Sequence, residues 1–399
     1  MYGLHIGLGI LSGYSPLTRS AMFQDFDSAI RYLYSIPADF PTHGAFKYAR
    51  GRHLAHICDD VQNTMPSIHI AGTSGKGSTA WIAHHLLSAH GYRSGLHLSP
   101  HTLDYRERMM VRTRFMDEPS FLGHLNSFLP FLEAMSASAY GRPSYTEVST
   151  MLAFHAFKRE EVDVAVVEVA CGGLHDATNI LDRADTIRVI GDIGYDHTHW
   201  LGETLREIMF QKAGIIHRGN RVISLRKPDE IQPILSLVCE TEGGDPYFPE
   251  QDEVCTVQGV SADGTRFDIH DDRYNEHGIL CGMAGAHQAR NAYLAIRSVS
   301  EFMRRQGRDL NWVVVRETLA TLRMPARFDR IRLGASTTLV IDAAHNPQKM
   351  EAFVQTLRSM YPDARIDALL GFKEGKNYAE MLSYILPEVE SVAIASFDV

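Results

Sequence analysis

Residues 67–79 read Ser-Ile-His-Ile-Ala-Gly-Thr-Ser-Gly-Lys-Gly-Ser-Thr, a short apolar strand, a glycine-rich turn and the opening of a helix. Glycines let successive N–H groups turn inward on an anion, and the start of the following helix favours negative charge. Lys76 would neutralise the outer phosphates of a nucleotide, while Ser78 or Thr79 would face a magnesium ion. The strict phosphate-loop pattern is not met, because Ile70 stands where its first glycine belongs and Gly77 follows the lysine. An ordinary strand-to-helix turn with an exposed lysine is the alternative. Three glycines interleaved with Thr, Ser and Lys favour phosphate binding over it.

Glu168 is the second group that asks for chemistry. It lies near the end of the apolar run Val162–Val169, where a carboxylate is costly unless it is ionically paired. A buried salt bridge would satisfy that demand. Ser99, His197 and Lys212, taken singly, read as a turn serine, a capping or core histidine and a solvated helix lysine. Lys158-Arg159-Glu160-Glu161 and Arg304-Arg305 read as solvated helix ends.

These residues are set on alternating apolar runs and amphipathic stretches, the pattern of an α/β protein. Strands are expected at Ser67–Ile70, Gly95–Leu98, Val162–Val169, Ile187–Ile190 and Val222–Leu225. Helices are expected near Ser78–His90, Thr204–Ile216 and His287–Arg305. The Gly- and Asp-rich region of about 241–281 reads as a β-rich insertion. After Met324-Pro325 the pattern restarts with strands at Leu339–Asp342, Ile366–Leu370 and Val392–Ser396 and helices at Pro347–Met360 and Tyr378–Ile385. The division is therefore a nucleotide-type domain over 1–323 and a smaller α/β domain over 324–399.

Composition agrees. With 399 residues, 45% hydrophobic and 22% charged, the chain is globular and long enough for two or three domains. A net charge of −9 excludes broad nucleic-acid binding, so anions must be met at focused sites. Five scattered cysteines without a CxxC pair point to a reducing cytoplasm. No apolar run is long enough to span a membrane. The opening Met1–Ser20 lacks the basic start and cleavage site of a signal peptide, and Gly7-Leu8-Gly9 within it fails the dinucleotide spacing.

The loop Gly72–Thr79 resembles that of the folylpolyglutamate synthase/dihydrofolate synthase family, within the Mur-ligase superfamily. The resemblance continues in order through Leu98-Ser99-Pro100-His101, Glu107-Arg108, Gly172-Gly173, Asp176-Ala177-Thr178-Asn179, Asp196-His197-Thr198 and Lys212-Ala213-Gly214-Ile215. It runs on through Gly285-Ala286-His287-Gln288, Asn291-Ala292, Pro325-Ala326-Arg327-Phe328 and Asp342-Ala343-Ala344-His345-Asn346-Pro347. It implies a P-loop-containing Mur-ligase central domain with a mostly parallel sheet, followed by a smaller Rossmann-like α/β domain. The implied reaction is ATP-dependent: a pterin carboxylate is phosphorylated, and the amine of L-glutamate attacks the acyl phosphate. Dihydropteroate or a reduced folate is the acceptor, and the enzyme is expected to be a monomer acting on small molecules.

By that resemblance Thr73, Ser74, Gly75, Lys76, Gly77, Ser78 and Thr79 hold the phosphates, and Asn291, Arg327 and Asp342 hold the rest of ATP. Ser99, Glu168 and His197 are the magnesium ligands, with two ions possible. Lys212 matches a lysine the family carries as a carbamate, and Lys76, Lys212 and His345 form the catalytic set. Ser144, Tyr145, Thr146 and Glu147, with His175, Asp176 and Ala177, correspond to substrate-contacting segments.

The chain also departs from the pattern. Ser74 replaces the loop asparagine, Leu174 an arginine, Ala326 and Ala343 glycines, and Gly375 an aspartate. The missing arginine bears on the acceptor and keeps open a Mur-type ligase with a non-folate acceptor. A non-catalytic nucleotide binder on the same fold is the other alternative, and retention of Lys76, Ser99, Glu168, His197 and Lys212 argues against it. The second domain shows three strands before Val399, whereas the family resembled continues further, so a fragment or a trimmed domain with exposed strand edges is expected.

Overall fold

The computed structural model describes residues 22–38 and 44–395. The opening segment, with Gly7-Leu8-Gly9, lies outside the described residues.

The first domain is built on β1 (Ser67–Ala71), β2 (Ser94–His97), β3 (Met110–Val111), β4 (Val164–Glu168), β5 (Ile187–Ile190), β6 (Arg221–Ser224) and β7 (Asp245–Tyr247). They form one sheet in the order β3-β2-β4-β1-β5-β6-β7. All neighbours are parallel except β2 and β3. Strands buried on both faces need apolar residues at every position, and β4 shows why the valine run was so legible. Val164 and Val166 pack on one face with the helices Lys76–Ala89 and Ala286–Arg305. Ala165 and Val167 pack on the other with Glu118–Ala137 and Tyr145–Arg159. The result is a helix–sheet–helix sandwich whose strand ends carry the loops. Helices Leu205–Ala213 and Gln232–Glu242 bury a third cluster beside β6.

The β-rich insertion is smaller than the composition implied. Residues 232–242 are helical and β7 extends the main sheet, so the separate antiparallel sheet is β8 (Cys255–Ser261), β9 (Gly264–His270) and β10 (Asn275–Cys281). Asp245-Pro246-Tyr247 carries turn-type residues, but pairing with β6 overrides that local preference.

The second domain has four strands among the described residues, not the three expected. β11 (Asp329–Leu333) pairs antiparallel with β12 (Thr337–Ile341), and β13 (Asp367–Leu370) pairs parallel with β14 (Ser391–Ile394). β11 was missed because its Asp-Arg-Ile-Arg-Leu sequence is half charged and its faces are largely exposed. Helices Pro347–Met360 and Tyr378–Ile385 close a small core of Phe328, Met350, Val354, Leu357, Met381 and Ile385. Leu333, Leu339, Leu369 and Ile394 stay exposed on these strands. Among the described residues no helix is long and apolar enough to cross a membrane, and all five cysteines are unpaired.

Candidate active site

The phosphate-type turn is braced from the neighbouring strand. The Thr73 N–H donates to the Asp192 carbonyl at 2.7 Å, and its hydroxyl donates to the Gly194 carbonyl at 2.9 Å. Both acceptors lie just past the end of β5. Gly75 holds φ +80°, and a Cβ there would fall 2.3 Å from Asn291 Oδ1. Glycine is thus required twice, by the left-handed backbone and by the approach of the helix Ala286–Arg305. Gly77, the residue that broke the strict loop pattern, faces Glu168: a Cβ would sit 3.4 Å from one of its carboxylate oxygens.

Glu168 closes β4 and is 7% exposed, with no ion pair at salt-bridge distance among the described residues. Burial raises its pKa, and Lys76 and a hydrogen bond from the Ser99 N–H, 3.0 Å from Oε2, pull it back. The Ser99 hydroxyl is buried without a partner. A buried, unbonded hydroxyl beside an under-compensated carboxylate is an oxygen pair suited to a hard cation. His197 has a left-handed backbone, and its Nε2 is 3.8 Å from Asp196. Burial lowers its pKa to about 4, so the ring is a neutral donor of a lone pair. Among the described residues no three of His, Cys, Asp and Glu gather into a metal cage. This donor set fits magnesium completed by phosphate and water rather than an all-protein site.

Lys212, in the last turn of Leu205–Ala213, is 4% exposed and donates to the Gly72 carbonyl at 3.0 Å. Desolvation, followed by the charge of Lys76, lowers its pKa to about 7. The solvated-lysine alternative is therefore not what the fold builds.

A cavity of about 260 Å³ opens between the loop and the second domain. Ser74, Gly75, Ser78, Asn291, Arg327 and Asp342 all line it, so six of the residues assigned to ATP share one space. Asp342 accepts the N–H groups of Phe328 and Ala344, each at 2.8 Å, and burial raises its pKa. Thr73 and Thr79 are buried behind the loop. His345 lies beside the cavity; its Nδ1 is 2.9 Å from the Ala343 carbonyl and its Nε2 2.9 Å from Lys349 Nζ.

The substrate segments are placed differently. Ser144 and Glu147 form a capping box, and Glu147 also pairs with buried Arg50 at 2.9 Å. The Ser144 and Thr146 hydroxyls are 3.2 Å apart. Of this group Tyr145 is the one turned to an aromatic set: its ring stacks on Tyr34 at 6.2 Å, and Arg108 lies 5.1 Å over it. Asp176 organises its own turn, accepting from the Cys171 N–H, the Thr178 N–H and the Thr178 hydroxyl. Ala177 is buried, and His175 is partly exposed with its pKa lowered by burial. Leu174 packs its Cβ against Gly214, toward the helix that carries Lys212.

Two residues of the second domain were not singled out. Lys349 lines the cavity, and Gln348 accepts the Ser74 hydroxyl at 2.9 Å. The signal available for Lys349 was its place in the first turn of a helix, where a cation opposes the helix dipole.

Comparison with known proteins follows the same lines. A family model described as the Mur ligase, glutamate ligase domain matches residues 326–398. The chain is 27% identical over 366 residues to the dihydrofolate synthase/folylpolyglutamate synthase of Bacillus subtilis strain 168, spanning 89% of this chain and 84% of that protein. It is 31% identical over 358 residues to the dihydrofolate synthase/folylpolyglutamate synthase of Mycobacterium tuberculosis, spanning 86% and 72%. A solved FPGS–AMPPCP–folate complex matches with a TM-score of 0.84 and 26% identity, covering 93% of this chain and 88% of that one. With a glycine loop, an acid at the end of β4 and a second domain facing both, the chain belongs to the dihydrofolate synthase/folylpolyglutamate synthase family of Mur-type ligases.

Proposed function

We propose that this chain is an ATP-dependent ligase that joins L-glutamate to the carboxylate of a pterin substrate, dihydropteroate or a reduced folate. The observation that carries it is the shared cavity: residues from the loop, from helix Ala286–Arg305 and from the second domain converge on one space of about 260 Å³. A family member solved with AMPPCP and folate supports the same pair of ligands.

In this reading the loop N–H groups and Lys76 cradle the phosphates, Arg327 adds a cation from the junction, and Asp342 accepts from the ribose. Ser99, Glu168 and His197 would hold magnesium, which neutralises the charge that builds on the phosphates. Lys212 is uncharged in part near neutrality, so its lone pair can attack carbon dioxide and, with loss of a proton, become an anionic carbamate. The acceptor carboxylate takes the terminal phosphoryl group and ADP leaves. The glutamate amine then displaces phosphate from the acyl carbon, forming the amide. Unpaired thiols support a reducing cytoplasm as the setting.

The test is magnesium-dependent phosphate release from ATP with L-glutamate, comparing dihydropteroate, tetrahydrofolate and no acceptor, with mass spectrometry of the pterin. A gain of one glutamate residue identifies the acceptor. Folded, ATP-binding protein that adds glutamate to neither acceptor would sink the pterin assignment.

A further inference from the structure

We propose that Lys349 is a further substrate-contacting residue, a cation carried by the second domain that grips the terminal phosphoryl group of the nucleotide during its transfer to the acceptor carboxylate. The proposal rests on the ligase reading above and adds to it a residue and a task.

Its position is fixed from both sides. The Lys349 N–H caps onto Asn346 Oδ1 at 2.9 Å, which sets the start of helix Pro347–Met360. Its Nζ donates to His345 Nε2 at 2.9 Å, and that ring is held in turn by donation from Nδ1–H to the Ala343 carbonyl, also 2.9 Å. The tautomer follows from these bonds: Nε2 has a lone pair for the lysine only if the ring proton sits on Nδ1. One of the three ammonium protons is thereby used, and Lys349 lines the cavity together with Ser74, Gly75, Asn291 and Arg327.

The surrounding charge lacks an anion. Lys76 and Arg327 are the cations that act most strongly on Lys349, and Asp196 and Glu168 are the opposing acids. Asp196 is already matched by Lys376 at 2.6 Å. Glu168 and Asp342 are left to answer Lys76, Arg327 and Lys349, and Asp342 already accepts the N–H groups of Phe328 and Ala344. Lys349 makes no ion pair among the described residues, although a first-turn lysine is disfavoured by its own helix. Three cations facing two carboxylates are one negative charge short, and an anion in the space between them supplies it. Desolvation, with Lys76 and Arg327, lowers the Lys349 pKa to about 7, so an incoming phosphate would also draw a proton onto it.

The step balances without a co-reactant. An oxygen of the acceptor carboxylate forms a bond to the γ-phosphorus as the bond to the bridging oxygen breaks, and that electron pair leaves on ADP. Lys349 donates hydrogen bonds to the non-bridging oxygens and loses no proton.

Calorimetric titration of the full 399-residue chain with AMPPCP and with ADP separates this role from a structural one. A charge-assisted hydrogen bond contributes about 1.5–3 kcal/mol, a factor of roughly 10 to 100 in affinity. Lys349→Met and Lys349→Gln should weaken AMPPCP by about that factor and leave ADP within about twofold, with Lys349→Arg recovering much of the loss. Equal losses for both nucleotides, or none for AMPPCP, in either folded variant would overturn the proposal. Failure of the wild type to add glutamate while the AMPPCP-selective loss persists would overturn the ligase reading instead.

Discussion

Lys212 carries a charge question that can be read in solution. Burial and Lys76 lower its pKa from 10.5 to about 7, so between those values the unfolded chain binds a proton that the folded chain does not. Stability must then rise with pH across that window; below about pH 7 both states are protonated and the penalty is fully present. In carbonate-free buffer, Lys212→Met should show a shallower rise in melting temperature than wild type from about pH 7 to about pH 10. Parallel profiles would mean that Lys212 keeps its proton in the fold. Gly75 gives a second test: Gly75→Ala combines a left-handed backbone with a Cβ 2.3 Å from Asn291 Oδ1. It should cost about 1–3 kcal/mol of stability and weaken ADP by about tenfold or more, by calorimetry. Unchanged ADP affinity would place the nucleotide away from Asn291. The loop was legible because its chemistry is local, glycines and a lysine on one turn. Lys349 was not, since nothing near it in sequence reveals that Lys76 and Arg327 face it.

Elements were legible where burial is two-sided. β5 is expected and observed at Ile187–Ile190, yet it hides a polar crossing. Arg188 lies opposite His69 in the β1–β5 register and is fully buried. Its guanidinium bonds Asn220 Oδ1, His69 and the Leu181 carbonyl, and His69 Nε2 meets the Thr178 hydroxyl at 2.8 Å. That hydroxyl reaches Asp176, so one chain of bonds ties two central strands to the turn that Asp176 organises. A sequence scan sees only a charge interrupting an apolar run; the three acceptors come from distant segments. Asn220 Oδ1 would keep the His217 N–H at 3.0 Å, but Arg188→Met would take the guanidinium from the His69 ring and the Leu181 carbonyl, a loss of about 1–3 kcal/mol for each buried group left without a partner. Arg188→Lys should rescue little, because an ammonium cannot reproduce the planar fork. The readout is the denaturant midpoint at constant slope. A lysine variant as stable as wild type would show that the three acceptors do not depend on the fork.

At the scale of the whole molecule, the two domains meet through Asp196. Lys376 reaches it at 2.6 Å and Asn346 at 3.0 Å, while Gln348 accepts from Ser74 on the loop. The order of elements around the loop and after residue 324 was readable, because each stretch has its own periodic pattern. The docking was not, since Asp196 reads in sequence as a motif neighbour of His197 rather than as the anchor of a second domain. Burial would raise the Asp196 pKa, but hydrogen bonds from Lys376 and Asn346 outweigh it and hold the carboxyl well below its ordinary range. Its contribution is therefore complete above the ordinary carboxylate value of about 4 and is lost as the pH falls further. Asp196→Asn removes the charge while keeping the shape. Hydrogen exchange should then quicken in Pro347–Met360 and Tyr378–Ile385 at neutral pH, without any nucleotide present. The acid limb of the stability profile should flatten at the same time, because the variant has no carboxylate there to protonate. If exchange in both helices stays at the wild-type rate, the second domain is held by its apolar contacts, and Asp196 serves only the site it borders.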